Sequence, residues 1–176
     1  ADPYAKVAGR GIEDLRAAGL TVETGLFEAE AAEMNAGFFK SVSENRPLVT
    51  LKVASSMDGR IAVANGDSKW LTGPQARERG HLMRAQADAI LVGGGTVTAD
   101  DPDLTCRLPG MTDRSPVRVV MAGGLSPESK LYKTAGTPPV WLMSGRRAAA
   151  QPPVKEGFLA FHLDDDVNGR PDPTAV

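Results

Sequence analysis

The sequence predicts an α/β chain built on a mainly parallel sheet. Three observations carry this. Ala89-Ile90-Leu91-Val92 is continuously apolar, which suits a strand covered on both faces. A helical pattern over Thr72 to Gln86 leads straight into that run. Further apolar runs follow at Val117–Met121, Val140–Met143 and Phe158–Leu163. Strand and helix patterns in alternation are the signature of this class.

The elements are justified in chain order. Gly11 to Ala18 reads as a helix with Ile12 and Leu15 on one side and Gly19 as its stop. Thr21 to Phe27 alternates loosely and reads as a strand. Glu28 to Val42 reads as a second helix, its inward stripe made of Ala31, Met34, Phe38 and Val42 and widened by Phe39. Glu28 and Glu30 suit the positive end of its dipole. The polar break Ser43-Glu44-Asn45-Arg46-Pro47 marks a domain boundary. Leu48 to Ser55 is then a strong strand, with Val49, Leu51 and Val53 facing one way and Thr50, Lys52 and Ala54 the other. Turns at 57–60 and 64–67 flank a short strand, Arg60 to Val63. The helix over 72–86 starts on Thr72 as N-cap with Gln75 three residues on, a capping box. Ala76, Gly80, Met83 and Ala87 form its inward face. Asp88 to Val92 is the next strand.

Composition narrows the function classes. At roughly 150 residues per domain, 176 residues suggest one domain, perhaps one and a fraction. A net charge of −2 and a pI of about 5.7 speak against general nucleic-acid binding. Hydrophobic residues at 41% and charged ones at 24% are ordinary for a globular chain. The one cysteine, Cys106, supports neither an internal disulfide nor a thiolate-rich zinc site, and fits a reducing compartment. No apolar run approaches the roughly 20 residues of a membrane span, and no leader resembles a signal peptide. The chain opens on Ala1-Asp2-Pro3 without a methionine and stops at Val176. Both are expected of an interior piece of a longer chain.

Several residues could carry chemistry. Gly93-Gly94-Gly95-Thr96 follows a strand directly, so its backbone N–H groups could approach a phosphate; a tight turn explains it equally well. It lacks the last glycine of the dinucleotide fingerprint, and no P-loop is present. Lys52 is either an edge or solvent-facing lysine of a strand or a cation in a cleft that holds a substrate hydroxyl or helps proton transfer. Ser68, Arg84 and Arg107 could together cradle a phosphate, although each alone reads as surface. Asp100-Asp101-Pro102 reads as a turn, Trp70 as packing, and the run at Asp164 as a solvated turn. His81 and His162 stand far apart without metal-ligand spacing. The zinc-deaminase, metalloprotease and nucleophile-elbow motifs are all absent from the sequence.

From Pro47 to Leu108 the string becomes specific. Arg46-Pro47-Leu48-Val49-Thr50-Leu51-Lys52, Ser56-Met57-Asp58-Gly59-Arg60-Ile61-Ala62 and Gly66-Asp67-Ser68-Lys69-Trp70-Leu71-Thr72 come first. Leu82-Met83-Arg84, Ala89 to Gly93, Gly95-Thr96-Val97, Ala99-Asp100-Asp101-Pro102 and Leu104-Thr105-Cys106-Arg107 follow in order. The whole resembles the reductase domain of the bifunctional bacterial riboflavin-biosynthesis proteins, in which a pyrimidine deaminase is fused to a pyrimidine reductase. Lys6 to Ile12, Leu15 to Gly19 and Asn35 to Phe39 resemble the end of that family's deaminase domain.

The resemblance implies a dihydrofolate-reductase-like fold over 47–176, incomplete at its C-terminus. Residues 1–46 would be the C-terminal tail of a cytidine-deaminase-like α/β domain plus a linker. It implies NADPH-dependent reduction of the ribosyl group of 5-amino-6-(5-phosphoribosylamino)uracil to ribityl, in a cytoplasmic homo-oligomer. The partner is thus a small phosphoribosylated pyrimidine, with no nucleic acid and no membrane. Zinc would belong to the deaminase domain, its ligands upstream of Ala1 and none in this sequence. Position by position, Lys52 becomes the catalytic candidate. Ser68, Arg84, Leu104 and Arg107 match substrate contacts. Ala54, Trp70, Thr96 and Asp100 match cofactor contacts, with Asp100 alternatively at the ribosyl end. Ala122-Gly123 departs from the Asp followed by Ser or Thr that the family often has there. A Glu-Gly-Gly segment is expected beyond Val176. Two alternatives stay open: a stand-alone reductase of the same fold, and a non-catalytic binding or assembly domain.

Overall fold

The computed structural model describes residues 2–4, 6–67, 72–146, 153, 155–168 and 170–172. The chain divides into two compact units, Ala1–Val53 and Ala54–Val176.

The first unit is helical. α1 spans Arg10–Ala17. It ends as expected at Gly19, whose positive φ of 85° lets the Gly19 and Leu20 N–H groups bond back to the Arg16 and Leu15 carbonyls. The single helix expected over 28–42 is two: α2, Glu28–Met34, and α3, Ala36–Glu44. Asn35 divides them. Its side-chain Nδ2 and its main-chain N–H both donate to the Ala31 carbonyl, at 2.8 and 3.2 Å. Such local competition is why asparagine suits helix ends better than interiors. The inward stripe is overturned too, since Met34 is 87% exposed and Phe38 45%. The strand expected over 21–27 is absent, because those residues join no ladder among the described residues. The same holds for Leu48 to Ser55. Its alternation is intact, but a strand exists only with a hydrogen-bonded neighbour.

The second unit holds the sheet. α4, Pro74–Gln86, precedes β1, Ala89–Gly93, and α5, Gly94–Asp100. A 3₁₀ turn at Thr112–Arg114 leads to β2, Val117–Met121. α6, Lys130–Lys133, β3, Val140–Gly145, and β4, Phe158–Leu163, complete it. The strands lie in the order β1-β2-β3-β4 and every pairing is parallel. The mainly parallel α/β class is therefore borne out. Val120, Val140, Leu142 and Phe158 from the strands pack with Val97, Leu104, Leu125 and Leu131 in one core. The expectation that both faces of β1 are covered fails: Leu91 is 52% exposed. β1 lies at the end of the strand order, and alternate residues of the short strand are open.

Two other expectations fail locally. Arg60 to Val63 is no strand, because its carbonyls and N–H groups close turns with Ser56, Gly66 and Asp67 instead. Thr72 does not cap α4. Pro74 occupies the first helical position, where its fixed φ and missing N–H cost nothing, and Gly73 before it is extended and becomes the cap.

Candidate active site

The informative face of α4 is not the apolar one. Ala76 and Ala87, expected to point inward, are exposed. Arg77, His81 and Arg84 recur at i, i+4 and i+7, share one face, and are half-buried. Residues 105–107 lie against that face. The Arg84 guanidinium donates to the Thr105 carbonyl at 3.1 Å. The Cys106 thiol reaches the His81 carbonyl at 3.5 Å. The Arg107 main-chain N–H donates to Nδ1 of His81 at 3.2 Å.

The segment is anchored from its other side as well. Leu104 is buried in the core and sits at φ 58°. A branched residue adopts that conformation only where packing over-determines it. The Cys106 N–H donates to the Ser115 hydroxyl at 3.0 Å, and that hydroxyl donates to the Thr112 carbonyl. The buried guanidinium of Arg118 on β2 donates to the Thr134 hydroxyl and to the Thr134 and Pro138 carbonyls at 2.7–2.8 Å. Its contact with the Asp103 carbonyl is longer, 3.4 Å.

Electrostatics single out this junction. Burial first, and then repulsion from Arg107, holds the Arg84 guanidinium below its ordinary range. Burial first, and then Arg84 and Arg107, lowers the His81 imidazole, while a backbone hydrogen bond with Thr105 opposes them. The carboxylate of Asp103 stands 3.7 Å from Arg107, with both side chains about half exposed, so their attraction is weak. Two guanidinium groups thus share a site with little compensating negative charge. An anion placed there would relieve the repulsion and gain charge-assisted hydrogen bonds.

The other nominated residues are placed as follows. Thr96 lies exposed in the first turn of α5, and Asp100 is exposed at its last residue. Gly94 is explained by packing, since a Cβ there would stand 2.8 Å from the Ala122 Cβ. Gly93 and Gly95 have open space where a side chain would be. Ala54 is half-buried. Lys52 is exposed and belongs to the first unit. Ser68 and Trp70 lie outside the described residues. A separate concavity is lined by Ser56, Asp58, Arg60, Ala62, Val63 and Ala64, none of them nominated by the sequence. The structure therefore brings Arg84, Leu104 and Arg107 together. Sequence reasoning missed His81 and Arg118. For His81 a signal existed, the helical spacing of 77, 81 and 84; for Arg118, inside an apolar strand, there was the cation itself.

Residues 47–158 match the model of the RibD C-terminal domain. The chain belongs to that family. It is 44% identical over 144 residues to the riboflavin biosynthesis protein RibD of Bacillus amyloliquefaciens, covering 81% of this chain and 38% of that protein. The RibD of Aquifex aeolicus is 37% identical over 164 residues, covering 92% and 46%. A solved structure of a diaminohydroxyphosphoribosylaminopyrimidine deaminase/5-amino-6-(5-phosphoribosylamino)uracil reductase from Thermotoga maritima superposes with a TM-score of 0.72 at 36% identity. It covers 90% of this chain and 44% of that one. The chain thus spans less than half the length of these RibD relatives. The family expected from the resemblance, and its mainly parallel α/β fold, are borne out.

Proposed function

We propose that the chain carries the substrate phosphate site of an NADPH-dependent reductase in riboflavin biosynthesis. The reaction is conversion of the ribosyl group of 5-amino-6-(5-phosphoribosylamino)uracil to ribityl. The observation that carries this is the Arg84 guanidinium bonded to the Thr105 carbonyl, two residues before Arg107, in a member of the RibD C-terminal domain family. Two planar guanidinium groups suit a phosphate better than a neutral sugar does. In this reading Leu104 fixes the arm that carries Arg107, and Ser68 completes the phosphate cradle. Lys52 stands at the ribose, where its ammonium group assists proton transfer.

In this reading a dinucleotide is held along Gly93 to Thr96. Gly93 and Gly95 leave their backbone open beside the exposed Thr96 hydroxyl, the kind of surface a phosphate approaches. Thr96, Ala54, Trp70 and Asp100 are the residues that would hold NADPH, which supplies a hydride when bound. Ala122 fills the space beside Gly94 with a methyl group and offers no side-chain donor there. We further read residues 1–46 as the tail of a zinc deaminase domain and 47–176 as the first part of the reductase domain.

The test is steady-state NADPH oxidation by the full-length protein. Arg107→Ala is expected to raise KM for the phosphorylated substrate about tenfold or more. An unchanged KM removes Arg107 from the phosphate site.

A further inference from the structure

We propose that His81 is a positioning residue for the phosphate site, holding the Arg107 arm in place by accepting its main-chain N–H on Nδ1. This rests on the reductase reading above.

The argument starts from the donor. Arg107 is exposed, and among the described residues its side chain makes one ion pair, the 3.7 Å contact with Asp103. Its guanidinium is therefore aimed by its backbone. That backbone is fixed at Arg107 itself by one side-chain acceptor, His81 Nδ1 at 3.2 Å. The ring is carried by a 13-residue helix, a stiffer support than a loop. The Cys106 thiol against the His81 carbonyl and Arg84 against Thr105 tie the same stretch to the same helix. An imidazole accepts on Nδ1 only when neutral, with its proton on Nε2. Its surroundings favour that state. On its own helix Arg77 and Arg84 share its face and Glu78 lies one turn back; Cys106 and Arg107 lie on the facing segment, with Asp103 paired to Arg107. Asp113 and Arg114 lie on the 3₁₀ turn that packs against α4. Burial and the two arginines Arg84 and Arg107 lower its pKa. His81 thus supplies an acceptor to a cationic site without adding a third cation.

Three substitutions in the full-length protein separate this from an electrostatic or space-filling role. His81→Asn keeps an acceptor oxygen near the place of Nδ1. His81→Ala removes the acceptor, and His81→Lys replaces it with a cation. Loss of one such bond predicts KM for the phosphorylated pyrimidine about tenfold higher in His81→Ala and His81→Lys, with the turnover number falling by less. His81→Asn is expected to restore most of the loss. Thermal melting of each variant, followed in parallel, identifies any that is unfolded, and the His81→Asn and His81→Lys comparison then decides. A parental KM in His81→Lys, or a His81→Asn as impaired as His81→Ala, overturns the proposal. Arg107→Ala is measured alongside. If it raises KM while His81→Ala does not, the His81 role alone falls; if Arg107→Ala changes nothing, the phosphate reading falls and takes this proposal with it.

Discussion

Residues 1–53 and 54–176 carry similar amphipathic patterns but use them differently. In the first unit no described residue is buried, and the helices rest on local bonds such as the Schellman closure at Gly19. In the second, eight apolar residues converge on one core beneath a parallel sheet. The difference teaches that an apolar stripe is only half of a contact. Met34 and Phe38 are spaced as well as any residues of the second unit, yet they are open. Val140 and Leu142 are buried because β2, β4 and α6 supply the other half.

The comparison can be broken most directly by removing one aromatic from each unit. Phe158 is fully buried and meets Tyr132 edge-on at 5.2 Å. Phe158→Ala is expected to destabilise the second unit by about 3–5 kcal/mol, a typical cost for a buried phenylalanine. Phe38→Ala in the first unit is expected to cost no more than about 1 kcal/mol, as exposed positions do. Urea denaturation of each variant measures both, and equal costs would erase the distinction.

Lys52 tests whether the first unit contributes chemistry. Lys52→Ala in the full-length protein is expected to lower turnover on the order of a hundredfold, the usual worth of a group that assists proton transfer. Substrate affinity should change little, as read by equilibrium titration. Turnover unchanged with substrate still bound would end the assignment.

The smallest effect concerns pH. His81 is held below its ordinary value, about 6.5 in an unfolded chain. A group whose folded pKa is depressed stabilises fully above the unfolded value. That stabilisation is lost as pH falls through the folded value. The urea midpoint of the second unit should therefore fall as pH drops below about 6.5, and fall less steeply in His81→Asn. Identical slopes would show that the ring titrates the same in both states.

Much of the second unit was legible. Val117–Met121 and Phe158–Leu163 have the limits their apolar runs predicted, because a run buried in a parallel sheet ends where the polar turn begins. Arg84 and Arg107 were named from family motifs. His81 was not: its spacing with Arg77 and Arg84 marks a shared face, but its bond to a backbone N–H 26 residues away leaves no local trace.

The sequence by itself determined the α/β class, the stop at Gly19, and the family through its ordered motifs from Pro47 to Leu108. These are local properties: periodicity, turn chemistry and residue order. Only the tertiary structure decided which patterned segments acquire neighbours. Leu48 to Ser55 alternates like a strand and joins no described ladder, because backbone pairing is a property of two segments. The same holds for charge. Arg84 and Arg107 are unremarkable apart, and only the fold lays residues 105–107 against the α4 face that carries Arg84.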